Sequence, residues 1–276
     1  MATDPFQPAL PNLEVRQATL ERILQQMGRV VVAFSGGVDS SFLLKVAVDC
    51  LGKNNVLAVT VASPVHPDWE RCEAEELARK LDVLHLILPS NELEIEEFVA
   101  NPPDRCYVCK FNRFGRLVEI ARERGFIHVV DGSNLDDLGD HRPGQRAASE
   151  RGVISPLTEA GLTKADIRAV SHQLGLPTWD RPSQACLASR FPYGERLTAE
   201  GLAGVGRAEE YLRGLGLRQV RVRRHAGLAR IEAEPQDFPA ILSRRTEIYT
   251  SLQALGFAYV SLDLLGFRSG SMNEVL

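Results

Sequence analysis

Apolar residues at Leu13, Leu20, Ile23, Leu24 and Met27 recur at helical spacing and predict an amphipathic helix over residues 13–27. RVVVAF (29–34) follows, an unbroken β-branched run of the kind found in a strand buried on both faces. After a Gly-rich turn, VDSSFLLKVAVDC (38–50) predicts the next helix. The pattern then repeats, with a strand at 55–62, a helix at 68–81, a strand at 84–89, a helix at 107–124 and a strand at 127–132. Strands that alternate with helices predict an α/β fold with a parallel sheet and right-handed crossovers.

Thr163-Lys164-Ala165-Asp166 has the spacing of a capping box and predicts a helix to Leu174, closed by Pro177. Residues 177–197 are rich in Pro, Ser and Gly, which predicts a functional loop at a domain boundary. Beyond it a helix at 198–214 precedes QVRVRRH (219–225) and LARIEA (228–233), alternating segments that predict a hairpin around Ala226-Gly227. A helical stretch at 236–255 and a strand at 258–264 complete a smaller α+β module. The expected division is a first domain over 1–185 and a second over 186–276.

Composition narrows the partners. The chain has 276 residues, 44% apolar and 25% charged, the balance of a soluble globular protein. No apolar run reaches the ~18 residues a membrane helix needs, and the N-terminus lacks the basic start and apolar core of a secretory signal. A cytoplasmic protein is expected. The formal net charge of −4 argues against non-specific nucleic-acid binding while leaving room for a small basic pocket. Five cysteines are too few for a disulfide scaffold in a chain of this length.

Candidate chemistry begins at Ser35-Gly36-Gly37-Val38-Asp39-Ser40-Ser41, between a buried strand and a helix. Two glycines let backbone N–H groups approach an anion, and the helix N-terminus adds its dipole. Ser35, Ser40 and Ser41 can donate hydroxyl hydrogen bonds, and Asp39 among phosphates makes sense as a Mg²⁺ ligand. The lysine that Walker A phosphate loops carry after the second glycine is missing, which argues against γ-phosphate transfer. Asp131-Gly132-Ser133-Asn134-Leu135-Asp136-Asp137 follows the fourth strand, at the sheet edge where open α/β sheets bind ligands. Asp131 and Asn134 are therefore candidates for placing ATP or Mg²⁺.

Cys106 and Cys109 form a CxxC at the start of a predicted helix, open to three readings: redox dithiol, half a zinc site, or part of an iron–sulfur site. With Cys186 added, three thiolates can hold three irons of a cubane cluster and leave the fourth open to a transferable sulfide. Cys186 lies beside Arg190, a cation that favours its thiolate, and is the candidate nucleophile or sulfur donor. Cys50 and Cys72 fall inside predicted helices and read as ordinary buried thiols. Arg221 and Arg223 alternate with Val220 and Val222, so both project from one face of a strand and suit phosphate or carboxylate. Spacing alone leaves a solvated strand face as an equal alternative. Ser189 and Arg190 are candidate partners for a reacting carboxylate, and Glu209 and Glu232 for a metal.

SGGVDS resembles the PP-loop of the ATP pyrophosphatases, relatives of NAD synthetase, GMP synthetase and the tRNA-thiolating enzymes. The resemblance implies that the loop holds the β,γ-pyrophosphate while a nucleophile attacks the α-phosphate. RCYVCK, DGSNLDD, ACLASRFPYGERLT, RVRRHAGLARIE and GFRSGSMN together resemble the LarE family over about residues 13–273. That family thiolates a nicotinate-derived dicarboxylate mononucleotide to make the precursor of the nickel-pincer cofactor. In one style of LarE a single cysteine at the ACLASR position gives up its sulfur and becomes dehydroalanine; in the other, three cysteines hold a four-iron, four-sulfur cluster. Cys106, Cys109 and Cys186 match the second style, and the RVR segment acquires a substrate-phosphate role. The resemblance also implies ATP and Mg²⁺ as cofactors, a small anionic mononucleotide as substrate, a homo-oligomer with a hexamer as its suggested form, and other enzymes of nickel-pincer synthesis as partners. Two rivals remain at this level, a PP-loop tRNA thiolase and a non-catalytic ATP-binding sensor.

Overall fold

The computed structural model describes residues 12–139, 143–268 and 270–273. Residues 1–11, read above for a leader, and Ser269 of GFRSGSMN lie outside them. The described chain forms two compact units. One combines the described residues up to Val61 with Trp69–Leu88 and Cys109–Arg181; the other combines Ala62–Asp68, Pro89–Val108 and the described residues from Pro182 onward.

The first unit is built on β1 (Val30–Ala33), β2 (Val56–Ala62), β3 (Leu84–Pro89) and β4 (His128–Val130), in the order β3-β2-β1-β4. β1 runs parallel to β2, with Val30 beside Val56, and to β4, with Val30 beside His128. Its Val30, Val31 and Val32 are all buried, as the β-branched run predicts for a strand with cores on both sides. Val30, Val32, Val56, Ala58 and Val130 enter one core with α1 (Leu13–Met27), α2 (Val38–Leu51), α3 (Asp68–Lys80) and α8 (Lys164–Gln173). Val31, Leu57, Val59 and Val129 enter the other with Phe114, Leu117, Ile120 and Ala121 of α5 (Arg105–Glu123). The period of two along each strand separates these layers, and helices cover both faces.

Helix boundaries follow local chemistry. α1 starts where the Asn12 side chain accepts from Val15 N, and stops at Gly28 with φ 68°. α8 opens with the reciprocal capping box, in which Thr163 accepts from Asp166 N and Asp166 accepts from Thr163 N. The buried Arg16 of α1 ties this cap down, pairing with Asp166 at 2.8 Å and donating to Gly161 O at 3.1 Å.

Between β4 and α8 the structure adds what periodicity does not show: α6 (Pro143–Glu150), the single turn α7 (Pro156–Glu159) and an isolated bridge from Val130 to Ile154. Another single turn, α4 (Glu96–Val99), precedes α5. Elements this short carry too few apolar positions for a repeat to emerge.

In the second unit β5 (Val220–His225) and β6 (Leu228–Ala233) form the antiparallel hairpin, turning at Ala226 with φ 53°. β7 (Tyr259–Leu262) lies parallel to β6, and α9 (Ala199–Gly214) packs on β5. The helical stretch expected at 236–255 divides into α10 (Phe238–Ser243) and α11 (Arg245–Ala254), because Arg244 leaves helical geometry at φ −105° and ψ 17°. Among the described residues no helix is long and apolar enough to cross a membrane.

Thr163→Ala removes one half of the capping box and is expected to lower the unfolding free energy by about 1 kcal/mol. Urea unfolding measures this; an unchanged midpoint would show that the cap adds nothing to the fold.

Candidate active site

The sheet order places β1 between β2 and β4: the chain leaves β1 toward β2 and continues to β3, then crosses back to β4 on the other side of β1, which makes the carboxyl end of β1 the switch point where such sheets bind ligands. The SGGVDSS loop sits there, with Gly37 as the N-cap of α2. Gly36 has φ 73°, and a Cβ on it would lie 3.0 Å from the Ala74 Cβ, so only glycine fits this turn. The Ser35 and Ser40 hydroxyls are 3.0 Å apart, and Ser40 Oγ donates to Gly37 O at 3.3 Å. Gly37 N in turn donates to Ser35 Oγ at 3.3 Å. These bonds hold the loop in shape while its helix dipole faces the crevice.

The loop after β4 meets the head of α2. A Cβ at Gly132 would lie 2.9 Å from Ser40 N, so a glycine lets the two backbones approach. Asp131 and Asn134 are both buried and both order this loop. Asp131 accepts from Ser155 Oγ at 2.7 Å and Ser133 Oγ at 2.8 Å. Asn134 Oδ1 accepts from Asp136 N at 3.0 Å.

Two residues here were not singled out from sequence. Lys164, the first residue of α8, donates from Nζ to Asp39 Oδ2 and from its backbone N to Asp136 Oδ2 at 2.8 Å. It brings a cation to a phosphate loop without a lysine of its own. Arg181 donates from Nη1 to Gly36 O at 2.6 Å and pairs with Glu73 through Nη2. Lys164 lies within the capping-box motif, where its neighbours already account for the pattern; Arg181 belongs to a loop without periodicity. Asp39 Oδ1 is buried and has no partner among the described residues, an orphan acceptor that suits a hard cation.

Cys106 and Cys109 occupy the first turn of α5, three residues apart and so on one side of the helix; Cys106 is exposed and Cys109 buried. Cys186 is half-buried and heads the turn Leu187–Arg190. None of the five cysteines is in a disulfide. Among the described residues no three His, Cys, Asp or Glu side chains converge as a ready-made metal site.

The segment around Cys186 is held by arginines. Arg190, only 1% exposed, pairs with Glu209 through Nε at 2.7 Å and Nη2 at 2.8 Å, a fork-to-fork contact. Its Nη1 donates to Ala185 O at 2.7 Å, Cys186 O at 3.2 Å and Ser189 Oγ at 2.9 Å. Burial pushes the Glu209 carboxyl upward, but Arg190, Arg221 and the Val222 N–H outweigh it and hold Glu209 below the usual range. Arg223 pairs with Glu232 at 2.8 Å and donates to Ser189 O at 2.9 Å and Ser271 Oγ at 3.0 Å. Glu209 and Glu232 are thus counter-ions of Arg190 and Arg223, not the metal supports expected of them.

Arg221 differs. It is 3% exposed and donates to two carbonyls, Ser183 O at 2.6 Å and Val220 O at 2.9 Å. Burial, and then the charge of Arg190, push its pKa down to about 9. A guanidinium so destabilised as a cation is suited to an anionic ligand.

A PP-loop on a parallel sheet at the switch point defines an ATP-pyrophosphatase-class domain. The NAD synthase family profile matches residues 13–129. A Synechocystis protein of uncharacterised function is 45% identical over 266 residues, covering 96% of this chain and 99% of its own. The pyridinium-3,5-bisthiocarboxylic acid mononucleotide synthase of Lactiplantibacillus plantarum is 42% identical over 267 residues, 97% of each chain. An uncharacterised Methanocaldococcus jannaschii protein is 31% identical over 241 residues, 87% of this chain and 91% of its own. The chain belongs to the pyridinium-3,5-bisthiocarboxylic acid mononucleotide synthase (LarE) family.

Lys164→Ala removes a cation from the phosphate loop and is expected to weaken ATP binding about tenfold, the scale of one charged hydrogen bond. Calorimetric titration checks this; an unaltered affinity would make Lys164 a partner of Asp39 alone.

Proposed function

We propose that this chain is an ATP-dependent sulfur transferase that adenylates the carboxylates of pyridinium-3,5-biscarboxylic acid mononucleotide and converts them to thiocarboxylates. The observation that carries this reading is the arginine clamp on the Cys186 segment: buried guanidiniums of Arg190 and of Arg221 and Arg223 on β5 hold the carbonyls around a half-buried thiol. The Lactiplantibacillus plantarum relative, matched over nearly its whole length, is named for the corresponding product.

A carboxylate resists sulfur because oxide is a poor leaving group. In the proposed first step a carboxylate oxygen attacks the α-phosphorus of ATP and the bond to pyrophosphate breaks. Ser35, Gly36, Gly37, Val38, Asp39, Ser40 and Ser41 cradle the departing pyrophosphate through N–H and hydroxyl groups, assisted by Lys164. Asp131 and Asn134 fix the adjoining loop. The orphan Asp39 Oδ1 fits Mg²⁺, which when bound neutralises phosphate charge. For Arg221 and Arg223 to hold the substrate phosphate, it would take the place of their carbonyl partners at Ser183 and Ser189. Arg190, its donors committed to Glu209 and the Cys186 segment, acts with Ser189 by positioning that segment for the reacting carboxylate. Sulfur then attacks the acyl carbon, and AMP leaves with the carboxylate oxygen. Two carboxylates require two such rounds and two ATP.

Three thiols outside disulfides, Cys106 and Cys109 on one helical turn and Cys186 half-buried, have the donor chemistry of a four-iron, four-sulfur cluster. Such a cluster would have to draw them together, because among the described residues they do not converge as a metal site. When bound, it would supply a transferable sulfide. In its place the Cys186 thiolate would attack the acyl carbon, and loss of its Cα proton with cleavage of the Cβ–Sγ bond would release the thiocarboxylate and leave dehydroalanine, one sulfur per chain. The setting we infer is a cytoplasmic homo-oligomer, a hexamer, acting among other enzymes of nickel-pincer synthesis, where reducing conditions preserve the thiols.

With the biscarboxylate mononucleotide, ATP is expected to yield AMP and pyrophosphate rather than ADP and phosphate. Cys186→Ala should retain pyrophosphate release and form no thiocarboxylate. Thiocarboxylate formation at the normal rate by a Cys106, Cys109 and Cys186 triple-alanine variant would overturn the assignment.

A further inference from the structure

Arg105 opens α5 one residue before Cys106 and is 4% exposed. Its guanidinium carbon lies 4.6 Å from the centroid of the Tyr193 ring, a contact that engages the face of the cation and none of its N–H groups. Among the described residues neither Nε nor Nη1 meets a hydrogen-bond acceptor, although both atoms are shielded from water. The other buried arginines of this unit are different: Arg190 and Arg223 have carboxylates, and Arg221 has two carbonyls. Burying a permanent charge with open donors is unfavourable unless an anion completes it.

The residues just before Arg105 are bonded to the run 192–197, which contains Tyr193. Asn101 Nδ2 donates to Pro192 O at 2.8 Å, Gly194 N donates to Asn101 O at 2.9 Å, and Leu197 N donates to Val99 O at 2.9 Å. Glu195 lies 3.9 Å from Arg224 of β5. Val99 and Asn101 are thereby fastened to the run 192–197, and Glu195 of that run in turn approaches β5, the strand that carries Arg221 and Arg223.

We propose that Arg105 is a specificity residue that takes the second ring carboxylate of the substrate, the one not being activated. The proposal rests on the thiolation reading above. That substrate carries three anionic groups: the phosphate goes to β5, one carboxylate is adenylated, and one is left for a buried guanidinium with open donors. After the first round the new thiocarboxylate, also an anion, occupies the same position while the remaining carboxylate reacts. A mononucleotide with a single carboxylate leaves Arg105 buried and unpaired. Sites built around a polar group reject analogues lacking it far more strongly than apolar pockets do.

The test measures equilibrium binding of pyridinium-3,5-biscarboxylic acid mononucleotide and of nicotinic acid mononucleotide to the full chain, as wild type, Arg105→Gln and Arg105→Lys. The wild type is expected to prefer the biscarboxylate about 10⁴-fold, the scale on which a buried polar group left unpaired rejects an analogue. Arg105→Gln should lose that preference, leave the monocarboxylate affinity unchanged, and melt at or above the wild-type temperature because an unpaired buried cation is gone. Equal weakening of both ligands, an intact preference, or no preference in the wild type would overturn the proposal. Should Arg105→Gln fail to fold, Arg105→Lys decides: it keeps the charge and loses the fork, so a preference cut at least tenfold supports the role and an unchanged one refutes it. Absence of pyrophosphate release by the wild type would refute the thiolation reading itself, a separate outcome from any of these.

Discussion

A carboxylate buried as completely as Glu209 has to be neutralised where it stands, and Arg190 does this with two parallel N–H bonds. That pairing fixes the guanidinium, so its remaining nitrogen points at the Cys186 segment, to the carbonyls of Ala185 and Cys186 and the Ser189 hydroxyl. Glu209 also accepts from Val222 N at 3.0 Å and from Arg213 at 3.1 Å, which joins α9 and β5 to the same anion. The position of the sulfur-bearing residue therefore follows from a helix, a strand and one buried ion pair. Removing either partner would strand a charge in the interior, with consequences well beyond a surface salt bridge.

The same device recurs along the segment. Arg221 takes Ser183 O and Arg223 takes Ser189 O, so carbonyls on both sides of Cys186 are held by guanidiniums in addition to the backbone bonds of the single turn Leu187–Arg190. A Pro- and Ser-rich stretch with a single helical turn gains order this way, as a loop that carries chemistry requires. In the first unit Arg168 plays a related part, donating to Trp179 O and Arg181 O, both at 2.7 Å. Arg181 then holds Gly36 of the phosphate loop.

Much of this was legible in the sequence, and the limits have physical reasons. The buried run at 29–34, the helices around it and the Ala226-Gly227 hairpin all rest on periodicity or turn chemistry, and each stands within a few residues of its expected bounds. SGGVDSS needs only local context, strand before and helix after, to be recognised as a phosphate loop. Partnerships across long separations leave no such trace: Lys164 reaches Asp39 over 125 residues and Arg16 reaches Asp166 over 150. Alternation shows that Arg221 and Arg223 share a face, but it does not show that the face is buried. Nor could it show that Glu209 is the counter-ion of Arg190, since an acidic residue on a helix is most often solvated. The short α6 and α7 were invisible for want of length, and the break at Arg244 for want of a Gly or Pro to mark it.

The central claim is that a carboxylate is activated as its adenylate before sulfur arrives. Oxygen tracing tests this most directly: the biscarboxylate mononucleotide is labelled with ¹⁸O in its carboxyl groups, turned over with ATP, and the phosphorus products are analysed by ³¹P resonance and mass spectrometry. The account predicts one labelled oxygen in each AMP formed and none in pyrophosphate. Unlabelled AMP, or label in released inorganic phosphate with ADP as the other product, would contradict it.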